Sequence, residues 1–390
     1  MYDFDSIINR KGTHCEKWDE LEDAFGSPDI LPFWVADMDF RIAPEIHAAL
    51  SNVLDHGVLG YPMMHIGAKK AVAHWQAHRH QWDVPADAVR FVPGVITGLI
   101  VAIHAFTKPG DAIIIQTPVY HPFHAIVPNN DRKLIENPLL HDESGYRMDF
   151  DHLKSIITPN VKAIIISNPH NPIGRVWRKE ELSRLAEICA ANNIVIFSDE
   201  IHQDVIYSGF KHTPLASVSK KAAEQTVTFV APSKTFNIPG LSASASIILN
   251  PELRSRYDKV AEQLHLSGIN LMGIVALEAA YTQGEAWLNE LLPYLEENRN
   301  LLMDFIATRL PKARMDTIEA TYVCWIDFRG YGLTDKELQK VLVEKAGVAL
   351  NSGLSFGKNG DGFARMNIGC PKALLLEGLE RIAAAFAAYH

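Results

Sequence analysis

The segment "APSKTFNIPG" (231–240) directly follows the apolar run "TVTFV" (226–230) and precedes the small residues "LSASAS" (241–246). A lysine at the end of a strand commonly marks the return of the chain to solvent. Here Lys234 stands between a serine and a threonine, in a segment whose composition is typical of an enclosed turn. The β-branched run before it lacks polar alternation, which indicates a strand buried on both faces. The rest of the chain decides between an exposed and an enclosed lysine.

From about residue 90, strand-like apolar runs alternate with helical segments, a pattern that predicts a helix-covered, parallel sheet. The strand-like runs are "AVRFVPG" (88–94), "AIIIQTP" (112–118), "VKAIIIS" (161–167), "IVIFSDE" (194–200), "TVTFVAP" (226–232) and "ASIILN" (245–250).

The regions outside this alternation predict a second, smaller domain. Residues 251–310 are mostly helical in pattern, and "YVCWIDF" (322–328), "FARMNIG" (363–369) and a final helix suggest a small α+β unit. We therefore expect a large α/β domain over residues 46–285 and a small domain over 286–390. The irregular segment 1–45 is expected to belong to the small domain or to contact another subunit.

Composition limits the classes of function. The 390 residues are 47% apolar and 21% charged, which is ordinary for a soluble enzyme, and the net charge of −9 argues against a nucleic-acid partner. No apolar run approaches the length of about 20 residues that spans a bilayer. The opening residues lack the pattern of a secretory signal, and the four cysteines are far apart. We expect a cytoplasmic protein without a membrane or metal site.

Three short patterns suggest other chemistry, and their contexts argue against it. "GLSFG" (353–357) fits a nucleophile elbow, but turn-forming residues follow it instead of a helix, and only His390 lies downstream as a histidine. "HWQAHRH" (74–80) has histidines one helical turn apart without a further ligand nearby, which is typical of a polar helix face. "SKT" (233–235) lacks the glycines of a phosphate loop.

Polar residues at the ends of the predicted strands suit one cofactor, because ligands gather at the carboxyl ends of parallel strands. Pyridoxal phosphate requires an amine for its Schiff base, an acidic partner for its pyridine nitrogen and an anion site for its phosphate. Lys234 provides the amine, Asp199 the acid, and Asn171 a donor to the phenolic oxygen. Each has a commonplace alternative taken alone: an exposed lysine, a helix cap or an Asn-Pro turn.

Two further features complete this predicted cofactor site. Tyr120 is positioned to stack on the ring, with ordinary aromatic packing as its alternative. The helix predicted after "VPG" would direct the backbone amides of Val95 and Ile96 at the phosphate. Together, in this order along the chain, the residues predict a pyridoxal phosphate site.

With these residues the chain resembles the fold-type I pyridoxal-phosphate enzymes, the class I/II aminotransferase superfamily, along nearly its whole length. The matching motifs are "NPHNPIG" (168–174), "SDEIH" (198–202), "APSKTFNIPGL" (231–241) and "FARMNIG" (363–369). The resemblance implies a mostly parallel seven-stranded sheet between helices in a large cofactor-binding domain. It also implies a smaller α+β domain formed by the N- and C-terminal segments.

Within that superfamily the sequence looks most like the bacterial cystathionine β-lyase and C–S lyase branch, which includes the maltose-regulon modulator. The branch motifs are "LPFWVADMDF" (31–40), "GVLGYP" (57–62), the histidine of "SDEIH" and "SKTFNIPG" (233–240). A tyrosine is common in aminotransferases at the position of His202, and a phosphate-binding arginine is common after the lysine. In both of these departures the chain resembles the lyase branch.

The resemblance implies further site residues. Ser233 and His202 would contact the cofactor, and Tyr61 would reach its phosphate from a second subunit in a homodimer with shared active sites. Arg365 would hold the substrate carboxylate as a bidentate fork. Asp37 is a further expected substrate contact. Trp34 and Tyr322 are candidates for apolar walls around a thioether, with ordinary core packing as their alternative.

The predicted function is a pyridoxal-phosphate-dependent C–S β-lyase. It would cleave L-cystathionine and related cysteine S-conjugates to a thiol, which is homocysteine for cystathionine, with pyruvate and ammonia. Two alternatives stay open: a class I/II aminotransferase, and a regulatory binding protein with a secondary cofactor site and a protein partner.

Overall fold

The computed structural model describes residues 2–389. Its strands are β1 (Leu31–Pro32), β2 (Val89–Val92), β3 (Ala112–Ile115), β4 (Lys133–Glu136), β5 (Leu140–Asp142), β6 (Gly145–Arg147), β7 (Val161–Ser167), β8 (Val195–Asp199), β9 (Thr226–Val230), β10 (Ser244–Ile247), β11 (Val323–Asp327), β12 (Val348–Ala349), β13 (Asn351–Ser352) and β14 (Phe363–Asn367). Its α-helices are α1 (Glu16–Asp19), α2 (Leu21–Phe25), α3 (Pro44–His56), α4 (Ile66–His80), α5 (Val95–Phe106), α6 (Pro122–Ile126), α7 (Phe150–Ile156), α8 (Lys179–Ala191), α9 (Lys220–Gln225), α10 (Pro232–Thr235), α11 (Pro251–Gln263), α12 (Leu271–Gln283), α13 (Glu285–Arg309), α14 (Asp335–Lys340) and α15 (Lys372–Phe386).

The central sheet has seven strands in the order β2-β10-β9-β8-β7-β3-β4. β10 runs antiparallel to both of its neighbours, and the other pairs are parallel. The six runs predicted from the sequence are strands of this sheet. The sequence did not indicate β4, an edge strand with exposed or half-buried residues and only two consecutive apolar side chains.

Helices cover both faces of the central sheet, which explains why its strands lack polar alternation. Along β7, Ile164 and Ile166 contact one apolar cluster, which includes the buried face of α8. Ala163 and Ile165 point the other way, into a cluster formed with α5 and α11. Successive side chains of a strand alternate between faces, so both faces of β7 must be apolar.

The C-terminal part of the chain forms a smaller α+β unit with the N-terminal segment. β11, β14 and β13 make an antiparallel sheet, and β1 pairs in parallel with β12. The side-chain amide of Asn367 donates 2.6 Å hydrogen bonds to the carbonyl oxygens of Val35 and Asp37. These contacts agree with the predicted fold, and the boundaries at residues 45 and 285 stay predictions.

The topology concentrates polar residues at one edge of the central sheet. β7, β8 and β9 are adjacent and parallel, so the turns after Ser167, Asp199 and Val230 lie side by side. The antiparallel β10 begins beside the end of β2, because Ser244 pairs with Val92. No helix between residues 2 and 389 is long and apolar enough to cross a membrane.

Candidate active site

Lys234 lies in a one-turn helix immediately after a central strand. β9 is buried along its whole length, and Pro232 then begins α10. The lysine is half-buried because it faces a cavity, and its Nζ donates a 2.6 Å hydrogen bond to the carbonyl oxygen of Ala36. Desolvation, and then the charge of Arg365, lower the pKa of Lys234 to about 8. A useful fraction of this amine is therefore neutral near pH 7 and able to accept a proton.

Asp199 is the last residue of β8 and is 5% exposed. Its Oδ1 accepts a 3.1 Å hydrogen bond from the backbone N–H of Ile201. Burial raises the pKa of Asp199 to about 7. A buried carboxylate is stabilised in its charged form by a cationic partner, and a protonated pyridine nitrogen is such a partner.

Tyr120, Asn171 and His202 line the same cavity as Lys234 and Asp199. The backbone N–H of Tyr120 donates to the carbonyl oxygen of Asn171 at 3.1 Å, which joins the segments that follow β3 and β7. Burial, and then the charge of Lys234, lower the pKa of His202 to about 3, so its ring is neutral. The Nδ1 of this buried ring has no hydrogen-bond partner in the described part of the chain.

The amino end of α5 and Ser233 close the far side of this cavity, whose volume is about 290 Å³. Gly94 precedes the helix with φ of 98°, a conformation that favours glycine. No side chain caps this helix end, so the first-turn N–H groups, which include those of Val95 and Ile96, lack helical partners. Unpaired amides at a helix amino end are a binding site for a phosphate group.

A larger cavity, of about 1110 Å³, adjoins the first and shares Lys234 and Tyr120 with it. Arg365 on β14 lines this cavity and is 2% exposed. Its guanidinium donates to neutral oxygens: the Asn171 side chain at 3.1 Å, the Trp34 carbonyl at 2.9 Å and the Asn351 side chain at 2.7 Å.

Arg365 lacks the anionic partner that a buried guanidinium normally has. No carboxylate between residues 2 and 389 forms an ion pair with it, and its buried Nε has no hydrogen-bond partner there. Burial accordingly lowers the pKa of Arg365 to about 10. The charge is still retained at neutral pH, and the site is prepared for a carboxylate supplied by a ligand.

Asp37 lines the larger cavity, but its carboxylate already forms an ion pair with Arg10. Arg10 donates to both Asp37 oxygens, at 2.9 and 2.7 Å, and to Asp39 at 2.7 Å. Lys17 donates to the second oxygen of Asp39 at 2.5 Å. The sequence did not indicate this cluster, since nothing in the spacing of residues 10 and 17 marks them as partners of 37 and 39.

Of the two aromatic residues expected to form the substrate pocket, Trp34 lines a cavity and Tyr322 does not. Trp34 lines the larger cavity, and its indole N–H is used in a 3.0 Å hydrogen bond to the carbonyl oxygen of Lys17. Tyr322 has no exposure and is not among the residues that line either cavity. Its hydroxyl donates to the carbonyl oxygen of Ala36 at 3.0 Å, so it supports the segment that contacts Lys234.

Tyr61 lies outside both cavities. Its side chain is fully exposed, and the apolar side chains of Val58, Leu59 and Met63 beside it are largely exposed. A role for Tyr61 at the phosphate therefore requires a second copy of the chain and stays a prediction.

The other sequence patterns have structural explanations. The rings of His74 and His78 stack at 5.8 Å, and His78 contacts Glu285. Among the described residues, no group of three potential ligands is placed to hold a metal ion. Ser355 of "GLSFG" is exposed and bonds to the carbonyl oxygen of Ser352, with a second 3₁₀ turn following instead of an α-helix. His390 lies outside the described residues.

These positions can be compared with known proteins. The family described as aminotransferase class I and II matches residues 29–382. The chain belongs to this family.

Relatives in the class I and II aminotransferase family match the whole length of the chain. The cystathionine beta-lyase PatB of Bacillus subtilis is 45% identical over 98% of this chain and 99% of its own. Cystalysin from Treponema denticola, solved with its pyridoxal 5'-phosphate cofactor, has a TM-score of 0.96 and 37% identity, with both chains covered completely. A pyridoxal-phosphate-bound putative aminotransferase from Clostridium difficile has a TM-score of 0.97 and 41% identity, covering 99% of this chain and 100% of its own.

These likenesses confirm the family and the fold predicted from the motifs around Asn171, Asp199, Lys234 and Arg365. The roles of individual side chains are inferred from the geometry alone. Asn351 and Arg10 contribute to the site and were not indicated by the sequence, because each contacts residues that only the fold brings near. Asn237 lies within the motif "SKTFNIPG", but no role was predicted for it from the sequence; its side-chain amide donates to the carbonyl oxygens of Met38 and Phe40, at 2.8 Å each.

Proposed function

We propose that this chain is a pyridoxal-phosphate-dependent C–S β-lyase that cleaves L-cystathionine and related cysteine S-conjugates. With cystathionine and one water, the products are homocysteine, pyruvate and ammonia. The observation that carries the proposal is that two side chains line one cavity: Lys234, with its lowered pKa, and Arg365, whose guanidinium has no carboxylate partner within residues 2–389. That pair suits an α-amino acid, which presents an acidic Cα–H next to a carboxylate. The full-length likeness to a cystathionine beta-lyase supports the reaction class and agrees with the prediction from the sequence.

The residues of the smaller cavity fit the cofactor. Asp199 is a buried acid whose charged form a cation would stabilise, and the buried Nδ1 of His202 has no hydrogen-bond partner within residues 2–389. Ser233 and the uncapped amino end of α5 suit a phosphate, and Tyr120 provides an aromatic face beside them. When bound here, pyridoxal phosphate supplies an aldehyde for the amino group and a ring that withdraws electrons from the substrate Cα.

The chain's own residues orient the substrate and move its proton. Arg365 binds the α-carboxylate through its guanidinium N–H groups, and Asn171 and Asn351 hold the guanidinium in place. The neutral Nζ of Lys234 removes the proton from Cα. Loss of the thiolate from Cβ follows, and the resulting enamine hydrolyses to pyruvate and ammonia.

The aminotransferase alternative uses the same first steps. It differs after Lys234 has removed the Cα proton: Lys234 would give that proton back, no thiolate would leave, and the amino group would be retained until a keto acid accepts it. The Clostridium difficile structure carries the name of a putative aminotransferase, so this alternative merits a direct test. Within residues 2–389 we find no surface feature that specifically favours the regulatory alternative.

We also propose that two copies of the chain form a homodimer in the cytoplasm and share their active sites. The exposed apolar side chains of the segment around Tyr61 support this, since an apolar surface of this kind is typical of a protein interface. Tyr61 from one copy would then contact the phosphate bound by the other.

The deciding experiment measures products from L-cystathionine with the cofactor-loaded protein, without any keto acid. We expect continuous release of pyruvate, ammonia and homocysteine in equal amounts over many turnovers. A single turnover that stops until a keto acid is added would identify an aminotransferase. Binding of the cofactor without reaction of any amino acid would favour the regulatory alternative.

A further inference from the structure

A buried carboxylate lies behind the turn that carries Lys234. The side chain of Asp204, in the loop after β8, has no exposure and accepts three hydrogen bonds. The hydroxyl of Thr235 donates to its Oδ2 at 2.7 Å. The Nε2 of His80 and the indole N–H of Trp75 donate to its Oδ1 at 2.8 and 2.9 Å.

Asp204 is ionised in this environment. Burial opposes its charge, yet the hydrogen bond from His80 and the other contacts keep the pKa of Asp204 below its usual value. Burial also lowers the pKa of His80, so this ring is neutral and donates through Nε2. The positive charge comes from Arg79, whose Nε is 3.9 Å from Oδ1. A buried carboxylate with three donors is a rigid anchor.

The turn that carries Lys234 depends on anchors outside itself. α10 has four residues, and its closing hydrogen bond runs from the N–H of Phe236 to the carbonyl oxygen of Pro232 at 2.8 Å. A single helical turn is unstable in isolation, because its few hydrogen bonds do not offset the ordering of the chain. The direction of the lysine must therefore be set by the neighbouring side chains.

Two residues that follow Lys234, Thr235 and Asn237, connect the turn to different parts of the protein. Asn237 fixes the turn to Met38 and Phe40 in the segment that contacts Lys234. Thr235, directly after the lysine and without exposure, fixes it to Asp204 and through Asp204 to α4.

We infer that Asp204 is a positioning residue for Lys234 and acts through the hydroxyl of Thr235. The inference rests on the proposed function, in which Nζ of Lys234 must face the substrate Cα. An error of about 1 Å in placing a reacting group can lower a rate about 100-fold, so loss of this contact is expected to slow proton transfer.

The test compares Thr235→Val, which removes the hydroxyl and keeps the shape, with two matched variants. Thr235→Ser retains the donor. Thr107→Val removes another buried threonine hydroxyl. Thr107 follows the carboxyl end of α5, whose amino end lines the smaller cavity, and it lines neither cavity itself. Its hydroxyl oxygen accepts a 2.8 Å hydrogen bond from Arg132. Exchange of the Cα proton of L-alanine in deuterated water reports proton transfer without requiring a leaving group. Affinity of the cofactor-free protein for pyridoxal phosphate and the thermal unfolding midpoint are measured in parallel.

We expect Thr235→Val to slow the exchange about 10- to 100-fold and to weaken cofactor affinity. Thr235→Ser should restore both to within about threefold, the modest effect of keeping the donor with one methyl group lost. Thr107→Val should lower the unfolding midpoint and leave exchange and affinity unchanged. If Thr235→Val does not fold, Thr235→Ala takes its place with the same expectations.

Two results would overturn the inference: wild-type exchange in the Thr235→Val protein, or an equal loss in the Thr107→Val protein. A wild-type protein that binds the cofactor and exchanges no proton would instead contradict the proposed function. The affinity comparison among the variants would still decide whether Asp204 positions Lys234.

Discussion

The Nζ of Lys234 is bonded at 2.6 Å to the carbonyl oxygen of Ala36, a residue far from it in the sequence. The same oxygen accepts the hydroxyl of Tyr322 at 3.0 Å. Lys234, in the turn after strand β9 of the central sheet, is therefore held against the N-terminal segment, and Tyr322 of the C-terminal part contacts the same segment. The active site exists only when all three parts of the chain are assembled.

Replacement of Lys234 by alanine should abolish turnover, because no other amine lines the smaller cavity within residues 2–389. Mixing the variant with pyridoxal phosphate should give only the spectrum of the free or loosely bound cofactor. Lys220→Ala, at a side chain that is 91% exposed, is the control and should resemble the wild type in both measurements. Retention of the wild-type absorbance band by the Lys234 variant would rule out this lysine as the attachment point.

Arg365→Lys should lower kcat/KM for L-cystathionine about 10- to 100-fold, mainly through KM. A lysine keeps the charge but cannot form the two parallel hydrogen bonds of a guanidinium, and a bond to a charged group contributes about 1.5–3 kcal/mol. Arg309→Lys, at a half-exposed pair with Glu380, is the matched control. Equal kinetics for the two variants would remove Arg365 from the substrate site.

The sequence predicted the parts of the site that follow from local pattern. Strands buried on both faces appear as unbroken apolar runs, so the strand ends that carry Asp199 and the turn of Lys234 could be placed from the sequence. Arg365 was indicated by resemblance, and the fold explains it, since Asn351 pairs with it on the adjacent strand β13.

What the sequence could not show are contacts between distant residues. Asp37 was expected to bind substrate, and nothing in its neighbourhood reveals that Arg10 occupies both of its oxygens. Tyr322 was expected to line the pocket, but it supports Ala36 instead of lining either cavity. Such pairings depend on how loops meet in three dimensions, and neither composition nor periodicity records them.

Asp199 should make the stability of the cofactor-free protein decrease as pH rises. Its folded pKa of about 7 exceeds the ordinary value of 3.8, so between these values the folded state retains a proton that the unfolded state has lost. The contribution of Asp199 to the free energy of unfolding therefore falls across this window, by about 1.4 kcal/mol for each pKa unit of difference. Lys234 titrates near pH 8, above the window.

Asp199→Asn removes this dependence, and denaturant unfolding at about pH 5 and about pH 7 measures it. The variant should gain stability relative to the wild type as pH rises between these values. Asp29→Asn, at an exposed side chain, should show no such gain. A constant difference between Asp199→Asn and wild type across the window would show that burial does not raise this pKa.

Sharing of the active sites can be tested by mixing two inactive proteins. Lys234→Ala lacks the amine, and Tyr61→Ala lacks the side chain proposed to reach across the interface. After unfolding and joint refolding in equal amounts, half of the dimers should contain one copy of each and one intact site. We expect about a quarter of the wild-type activity per protein, measured as pyruvate release. No recovery, from subunits shown to exchange by mass spectrometry, would mean that each Tyr61 acts within its own chain. A Tyr61→Ala protein that is active by itself would mean that Tyr61 has no role at the site.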